Sequence, residues 1–317
     1  MAAAARLAAR ARPQACPNPG VGAVLVAEDG AVLSRGWTAP GGRPHAEAMA
    51  LGAANPGAVR TATLYVTLEP CAHLSPRGPA CADLIIKAQP RRVVIGQIDP
   101  DPRTAGKGIA RLQAAGIDAC VLDDRASAAS LAGFLTRQKS GRPYVTLKLA
   151  TSLDGCLALA DGTSQWITGD AARAHVHAQR ARCDAILVGG GTWRSDNPRL
   201  DVRLAGLETR SPRRAVLTRG AAPEGIIAIA SPQDIAALES VLYLYVEGGA
   251  ATAGAFLAAD LVDELHLYRA PVLIGDGLRS LGALGLADLA SAHGRWRLDD
   301  RRQLGSDTFE AYLRSRD

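Results

Sequence analysis

Four residues in the N-terminal part of the chain have types and spacings that do chemistry together. His45 is followed two positions on by Glu47, Cys71 follows Glu69-Pro70, and Cys81 stands ten residues after Cys71. One imidazole and two thiolates hold a tetrahedral zinc and leave its fourth position to water. A carboxylate beside the histidine can take the proton of that water and pass it to a leaving amine. The order H-x-E, then P-C, then a second cysteine is the arrangement of zinc deaminases that act on nucleobases and nucleotides. Each piece alone says little, since a lone cysteine is usually a core residue. A purely structural zinc would need a fourth protein ligand, for which His73 is the candidate.

The C-terminal part carries a different kind of signal. No G-x-G-x-x-G follows its first strand, which excludes an ordinary dinucleotide-binding domain. Instead Glu247-Gly248-Gly249-Ala250-Ala251-Thr252-Ala253-Gly254 lies between a strand and a helix. Glycines there let a backbone approach a phosphate, and a helix N-terminus supplies N–H donors. A plain tight turn would read the same way. A second glycine-rich loop, Gly189 to Pro198, also follows a strand. Two such loops in one sheet point to a cofactor crevice.

The elements that must position these residues alternate along the chain. Val21–Ala27 and Ala31–Arg35 are strands joined by a Glu28-Asp29-Gly30 turn, a hairpin signal. A first helix spans Met1 to Arg12, and another runs from His45 to Ala54. Thr63–Leu68 is a strand stopped by Pro70, Cys81 opens a helix, and Val93–Gly96 is a core strand. A helix over Gly108–Ala115 and a strand over Asp118–Val121 follow, and the sheet they imply is mixed. The pattern resets at Lys139-Ser140-Gly141-Arg142-Pro143, so domains are expected over 1–141 and 142–317. In the second, strands are expected at Tyr144–Ala150, Ala185–Val188, Ala215–Thr218, Ile226–Ala230, Leu242–Val246, Glu264–Ala270 and near Phe309–Leu313. Helices are expected at Gln233–Leu238 and Ala253–Ala259.

Composition sets the outer bounds. With 317 residues, 48% hydrophobic and 21% charged, each half can bury a core, and a disordered chain is excluded. The net charge of +5 rests on arginine, because only Lys87, Lys107, Lys139 and Lys148 are lysines. Such an arginine and alanine excess is what a GC-rich coding sequence produces, so the charge does not call for nucleic acid. Six scattered cysteines make no disulfide scaffold. No run of 18 apolar residues is present, so no membrane partner is expected. The arginine-rich first 15 residues could pass for a targeting peptide, but they read better as a helix, and the expected location is the cytoplasm.

Together these segments closely resemble the bifunctional riboflavin-biosynthesis proteins that fuse a pyrimidine deaminase to a reductase. The resemblance runs from about Pro17 to Tyr312. It is carried by PNPGVG (Pro17 to Gly22), HAE (His45 to Glu47), TLEPC (Thr67 to Cys71) and LKLATSLDG (Leu147 to Gly155). SQWIT (Ser164 to Thr168), GGGTWRSDNPRLDVR (Gly189 to Arg203), EGG (Glu247 to Gly249) and LVDELHLYRAPVLIG (Leu261 to Gly275) complete it. It implies a cytidine-deaminase-like, three-layer α/β domain with a mixed sheet, followed by a dihydrofolate-reductase-like α/β domain. It implies that His45, Cys71 and Cys81 bind one zinc, that Glu47 shuttles the proton, and that Asn18 lies in the substrate pocket. In the reductase it implies NADPH contacts at Ala150, Trp166, Thr192, Asp196, Gly249, Ala250, Ala251, Thr252, Ala253, Gly254 and Ala255. Substrate contacts would come from Ser164, Arg180, Leu200, Arg203 and Glu247. Arg180 and Arg203 suit a sugar phosphate, because a guanidinium fork pairs two phosphate oxygens. Lys148 and Asp196 are the candidates to assist protonation.

The implied partner is a small phosphorylated pyrimidine, and the chain is expected to form a homo-oligomer, most simply a dimer. Two departures from the family pattern stand out. Nine residues separate Cys71 from Cys81 where the family usually has eight, in a stretch that keeps His73 and Arg77. After the strand ending at Leu217, Thr218-Arg219 replaces a common aspartate, and Arg219 could meet the 2′-phosphate of NADPH. Three other readings remain at this stage. The first is a deaminase of nucleosides or tRNA adenosine with a non-catalytic second domain. The others are a protein with one inactive half and a zinc-stabilised binding protein.

Overall fold

The computed structural model describes residues 1–73 and 75–316. The chain forms two compact units, one over Met1–Gly141 and one starting at Arg142.

The first unit is built on five strands: β1 (Gly22–Val26), β2 (Val32–Trp37), β3 (Thr63–Leu68), β4 (Arg92–Gln97) and β5 (Asp118–Val121). Their order across the sheet is β2-β1-β3-β4-β5. β1 runs antiparallel to β2 and β3, whereas β3, β4 and β5 are mutually parallel. The hairpin between β1 and β2 closes as the Asp-Gly pair requires. Gly30 takes φ +86° and the Asp29 carboxylate accepts the Ala31 N–H at 2.9 Å. The described residues of this unit also form seven α-helices: α1 (Ala2–Arg10), α2 (Ala46–Gly52), α3 (Pro56–Val59), α4 (Cys81–Ala88), α5 (Lys107–Ala114), α6 (Arg125–Ser130) and α7 (Ala132–Ser140). Two helices lie directly on the strand backbone because glycines remove the side chains between. A Cβ on Gly22 would sit 2.0 Å from the Ala4 carbonyl oxygen of α1, and one on Gly36 would sit 2.1 Å from the Ala46 carbonyl oxygen of α2.

The second unit contains an eight-stranded sheet formed by β6 (Tyr144–Thr151), β8 (Ala185–Gly189), β9 (Arg213–Leu217), β10 (Ile227–Ile229), β11 (Tyr243–Val246), β12 (Glu264–Arg269), β14 (Trp296–Leu304) and β15 (Asp307–Arg314). The order is β10-β9-β8-β11-β6-β12-β15-β14, parallel from β10 through β12 and antiparallel beyond. Short strands β7 (Cys156–Ala158) and β13 (Leu278–Arg279) pair separately. The helices are α8 (Asp170–Arg180), α9 (Gly190–Asp196) and α10 (Ala250–Ala258). Strand alternation separates two chemistries. Val145, Leu147 and Leu149 of β6 join Leu187, Leu244, Val246 and Phe256 in the apolar core, so Thr146, Lys148 and Ala150 point to the other face.

The structure departs from the sequence expectations in instructive places. The loop expected from Gly189 is the helix α9, ended by Asn197 at φ +40°. The helix expected from Ala253 begins at Ala250, directly after Gly249. Gln233–Leu238 is a 3-10 segment over Pro232–Ala237, set by a capping box between Ser231 and Asp234. Helix α8 has no strong apolar stripe, burying only Ala172 and Val176 within it. Strand β14 is charged and exposed and forms by pairing along β15 at the sheet edge.

Gly36→Ala forces α2 off β2. We expect it to lower unfolding stability by about 1–3 kcal/mol, read as a lower urea midpoint by circular dichroism. An unchanged midpoint would show that α2 shifts freely.

Candidate active sites

In the first unit, three donors converge from three elements. His45 caps the N-terminus of α2, Cys71 follows the end of β3, and Cys81 is the first residue of α4. His45 Nδ1 lies 3.2 Å from Cys81 Sγ and 3.7 Å from Cys71 Sγ, and the three ligand atoms fall within 4.8 Å of one another. A tetrahedral zinc with bonds of about 2.1 Å to nitrogen and about 2.3 Å to sulfur separates N from S by about 3.6 Å. The donor set and its spacing therefore fit zinc. The backbone N–H of Cys81 donates to Cys71 Sγ at 3.2 Å, so main chain as well as side chains fixes the cluster. A hydrogen bond from the Cys81 thiol brings Cys71 down to about 4, while Cys81 itself is pushed up.

Glu47 sits in the first turn of α2 and is 3% exposed. Burial pushes its carboxyl up to about 7, against the opposing effect of His45. His73 is not part of the cluster; its Nδ1 faces Thr104 Oγ1 at 3.4 Å. Among the described residues the cluster has three protein ligands, which leaves the structural-zinc reading without its fourth.

The cluster opens into a cavity of about 310 Å³, lined also by Asn18, Arg43, Arg77, Asp99, Asp101 and Arg103. Its far wall depends on a residue that the sequence reading passed over. Glu69, between β3 and Pro70, is buried and accepts backbone N–H bonds from Asp99 (3.2 Å), Gly106 (3.0 Å) and Ile109 (3.2 Å). Its position inside TLEPC was the available signal. Burial raises Asp99 to about 6. The lengthened stretch between the cysteines folds on itself through a Ser75–Gly78 bridge, and Arg77 Nη2 donates to the Gly41 carbonyl at 2.6 Å. Its ends stay anchored, since the Ala82 N–H donates to the Cys71 carbonyl at 3.1 Å.

In the second unit, a cavity of about 600 Å³ lies at the C-terminal ends of β8, β11 and β6, where ligands bind in open parallel sheets. Lys148, Ala150, Ser164, Trp166, Arg180, Thr192, Asp196, Arg203, Glu247 and Gly249 all line it. Leu200 does not; it is 4% exposed with φ +55°. Ala250, Ala251, Thr252, Ala253, Gly254 and Ala255 belong to the start of α10 and do not form the wall. Ala253 is fully buried in the core, and Thr252 packs against Gly189 and Gly248. Arg173 and His177, both on α8, line the cavity without having been singled out.

The dominant interaction here is a buried fork. Arg180 donates from Nε and Nη2 to the two Glu247 oxygens at 2.6 and 3.0 Å, and from Nη1 to the Asp201 carbonyl at 2.9 Å. Burial opposes ionisation of Glu247, but the charge and hydrogen bonds of Arg180 outweigh it and hold the carboxyl below its ordinary range. The Nε/Nη2 edge of Arg180 is thus occupied, and one N–H remains on each of Nη1 and Nη2. Arg203 remains half exposed. Burial lowers the Lys148 ammonium below its usual range, assisted by Arg180 and opposed by Glu247.

Zinc analysis of the purified protein should find about one ion per chain, and Cys81→Ser should reduce it to near zero. Full retention by the variant would remove Cys81 from the ligand set.

The chain matches two family models: the cytidine and deoxycytidylate deaminase zinc-binding region over residues 1–97, and the RibD C-terminal domain over 143–226 and 234–309. It is 38% identical to riboflavin biosynthesis protein RibD of Mycobacterium tuberculosis, over 92% of this chain and 89% of that protein. It is also 38% identical to RibD of Escherichia coli, over 97% and 96% of the two chains. Among solved structures, Acinetobacter baumannii RibD superposes with a TM-score of 0.86 at 34% identity, covering 99% of this chain and 97% of that one. A Thermotoga maritima diaminohydroxyphosphoribosylaminopyrimidine deaminase/5-amino-6-(5-phosphoribosylamino)uracil reductase gives 0.85 at 30%, with the same coverage. With a zinc-type His-Cys-Cys cluster in its first unit and a reductase fold in its second, the chain belongs to the RibD family of bifunctional deaminase–reductases of riboflavin biosynthesis.

Proposed function

We propose that this chain removes the ring amine of diaminohydroxyphosphoribosylaminopyrimidine in its first unit. It then reduces the ribosyl group of the product with NADPH in its second, giving 5-amino-6-(5-phospho-D-ribitylamino)uracil. The observation that carries the first step is Glu47, buried beside a three-ligand cluster that opens on a cavity. Zinc held by His45, Cys71 and Cys81 would supply a water acidic enough to ionise near neutral pH. Glu47 accepts the proton as oxygen adds to the amine-bearing ring carbon, then returns it to nitrogen as ammonia leaves. The positive charge of the ion would also pull the Glu47 carboxyl back toward its ionised form. Asn18, at the cavity wall against Gly42, orients the pyrimidine.

For the second step, NADPH, when bound, would supply a hydride for the open-chain imine carbon. Trp166, Thr192, Asp196 and Gly249, which line the larger cavity, would hold it, with the start of α10 after Gly249 offering N–H donors. The imine nitrogen needs a proton as the hydride arrives, and Lys148, a cavity residue whose ammonium burial makes more acidic, is the donor in this reading. The Arg180–Glu247 pair orders the substrate end, and Arg203 meets the phosphate. A homodimer is the expected working form.

Glu47→Gln should cut ammonia release by about 100-fold or more while leaving NADPH oxidation on the pre-deaminated substrate intact. Retained ammonia release would remove Glu47 as the proton carrier. Arg203→Ala should raise the reductase KM for the pyrimidine by roughly 10-fold; an unchanged KM would place the phosphate elsewhere.

A further inference from the structure

The Nε/Nη2 edge of Arg180 is committed to Glu247, so a phosphate at this end of the cavity gains from a further donor beside Arg203. Helix α8 presents one. Arg173, Val176, His177 and Arg180 recur at helical spacing along the cavity wall, and His177, three residues before Arg180, meets the segment carrying Arg203. Its ring is anchored on one side only. Nδ1 lies 3.2 Å from the Asp201 carbonyl and 3.3 Å from the Arg203 backbone N–H. The Asp201 carbonyl already accepts from Arg180 Nη1 at 2.9 Å, whereas the Arg203 N–H has no other partner among the described residues. The tautomer that satisfies both has Nδ1 accepting from Arg203 and the proton on Nε2. Nε2 carries no protein hydrogen bond among the described residues.

We propose that His177 is a specificity residue for the phosphorylated end of the reductase substrate, donating from Nε2 to a phosphate oxygen beside Arg203. The proposal rests on the reductase reading above. Burial, reinforced by Arg180 and Arg203, holds the imidazole below its ordinary pKa, consistent with a neutral ring that carries its single proton on Nε2. A neutral donor here adds direction to the attraction that Arg203 supplies. The Nδ1 anchor meanwhile ties the backbone of Arg203 to α8, so the two donors move as one.

The test uses the full-length zinc-loaded protein, NADPH, and 5-amino-6-(5-phosphoribosylamino)uracil with its dephosphorylated counterpart. In His177→Asn the amide stands in for Nδ1 and nothing replaces Nε2; in His177→Gln the amide stands in for Nε2. The expected result is a KM for the phosphorylated substrate raised roughly 10-fold in His177→Asn, with KM for the dephosphorylated compound and for NADPH unchanged. His177→Gln should recover most of that loss. An unchanged KM in His177→Asn overturns the proposal. So does an equal rise for both pyrimidines, which would make His177 an anchor only, or a rise confined to NADPH. If wild-type protein oxidises no NADPH with either pyrimidine, the reductase reading itself fails and the proposal goes with it.

Discussion

Charge and polarity taken out of water must be partnered, and that requirement shapes both halves of this protein. In the first, Glu69 is buried and offers two oxygens, and three backbone N–H groups from Asp99, Gly106 and Ile109 turn toward it. The segment they belong to is thereby wrapped around the cavity that holds the His45-Cys71-Cys81 cluster. In the second, Glu247 is matched by the fork of Arg180, which also holds the Asp201 carbonyl. That one guanidinium connects α8, the end of β11 and the loop leading to Arg203. Remove either match and a buried charge is left without a partner, so neither wall can rearrange independently of its site.

The second constraint is close approach. α2 must lie near the sheet for His45 and Glu47 to reach the cysteines, and a Cβ at Gly36 would collide with the Ala46 carbonyl. The same logic places α1 over Gly22, inside the PNPGVG segment that also contributes Asn18 to the cavity. A stretch that reads as a substrate motif is therefore also a packing motif.

Much of this was legible in the sequence because period and punctuation agreed. The Asp29-Gly30 hairpin, the Pro70 stop after β3 and the apolar strands of both sheets each carried a local signal. The zinc-type cluster was legible because its ligands sit at element ends, where a single residue type is readable. Helix α8 was not, since its buried face consists of Ala172 and Val176 and its other positions mix alanine with histidine, arginine, glutamine and aspartate. With that helix went Arg173 and His177 as cavity residues. Strand β14 was hidden because an exposed edge strand has no apolar alternation. The commitment of Arg180 to Glu247 is a long-range pairing, 67 residues apart, that spacing cannot reveal. The loop between the cysteines is tied at its ends by the Ala82 N–H donating to the Cys71 carbonyl, a closure that its length alone does not reveal.

The central claim is that one chain performs two reactions in a fixed order. It is tested most directly by a single time course with zinc-loaded protein, the diamino pyrimidine substrate and NADPH, following ammonia and NADPH absorbance together. The account predicts that ammonia appears first, that NADPH loss follows after a lag, and that the two totals converge to one each per substrate consumed. NADPH oxidation without prior ammonia release, or ammonia release with no NADPH consumed, would contradict it.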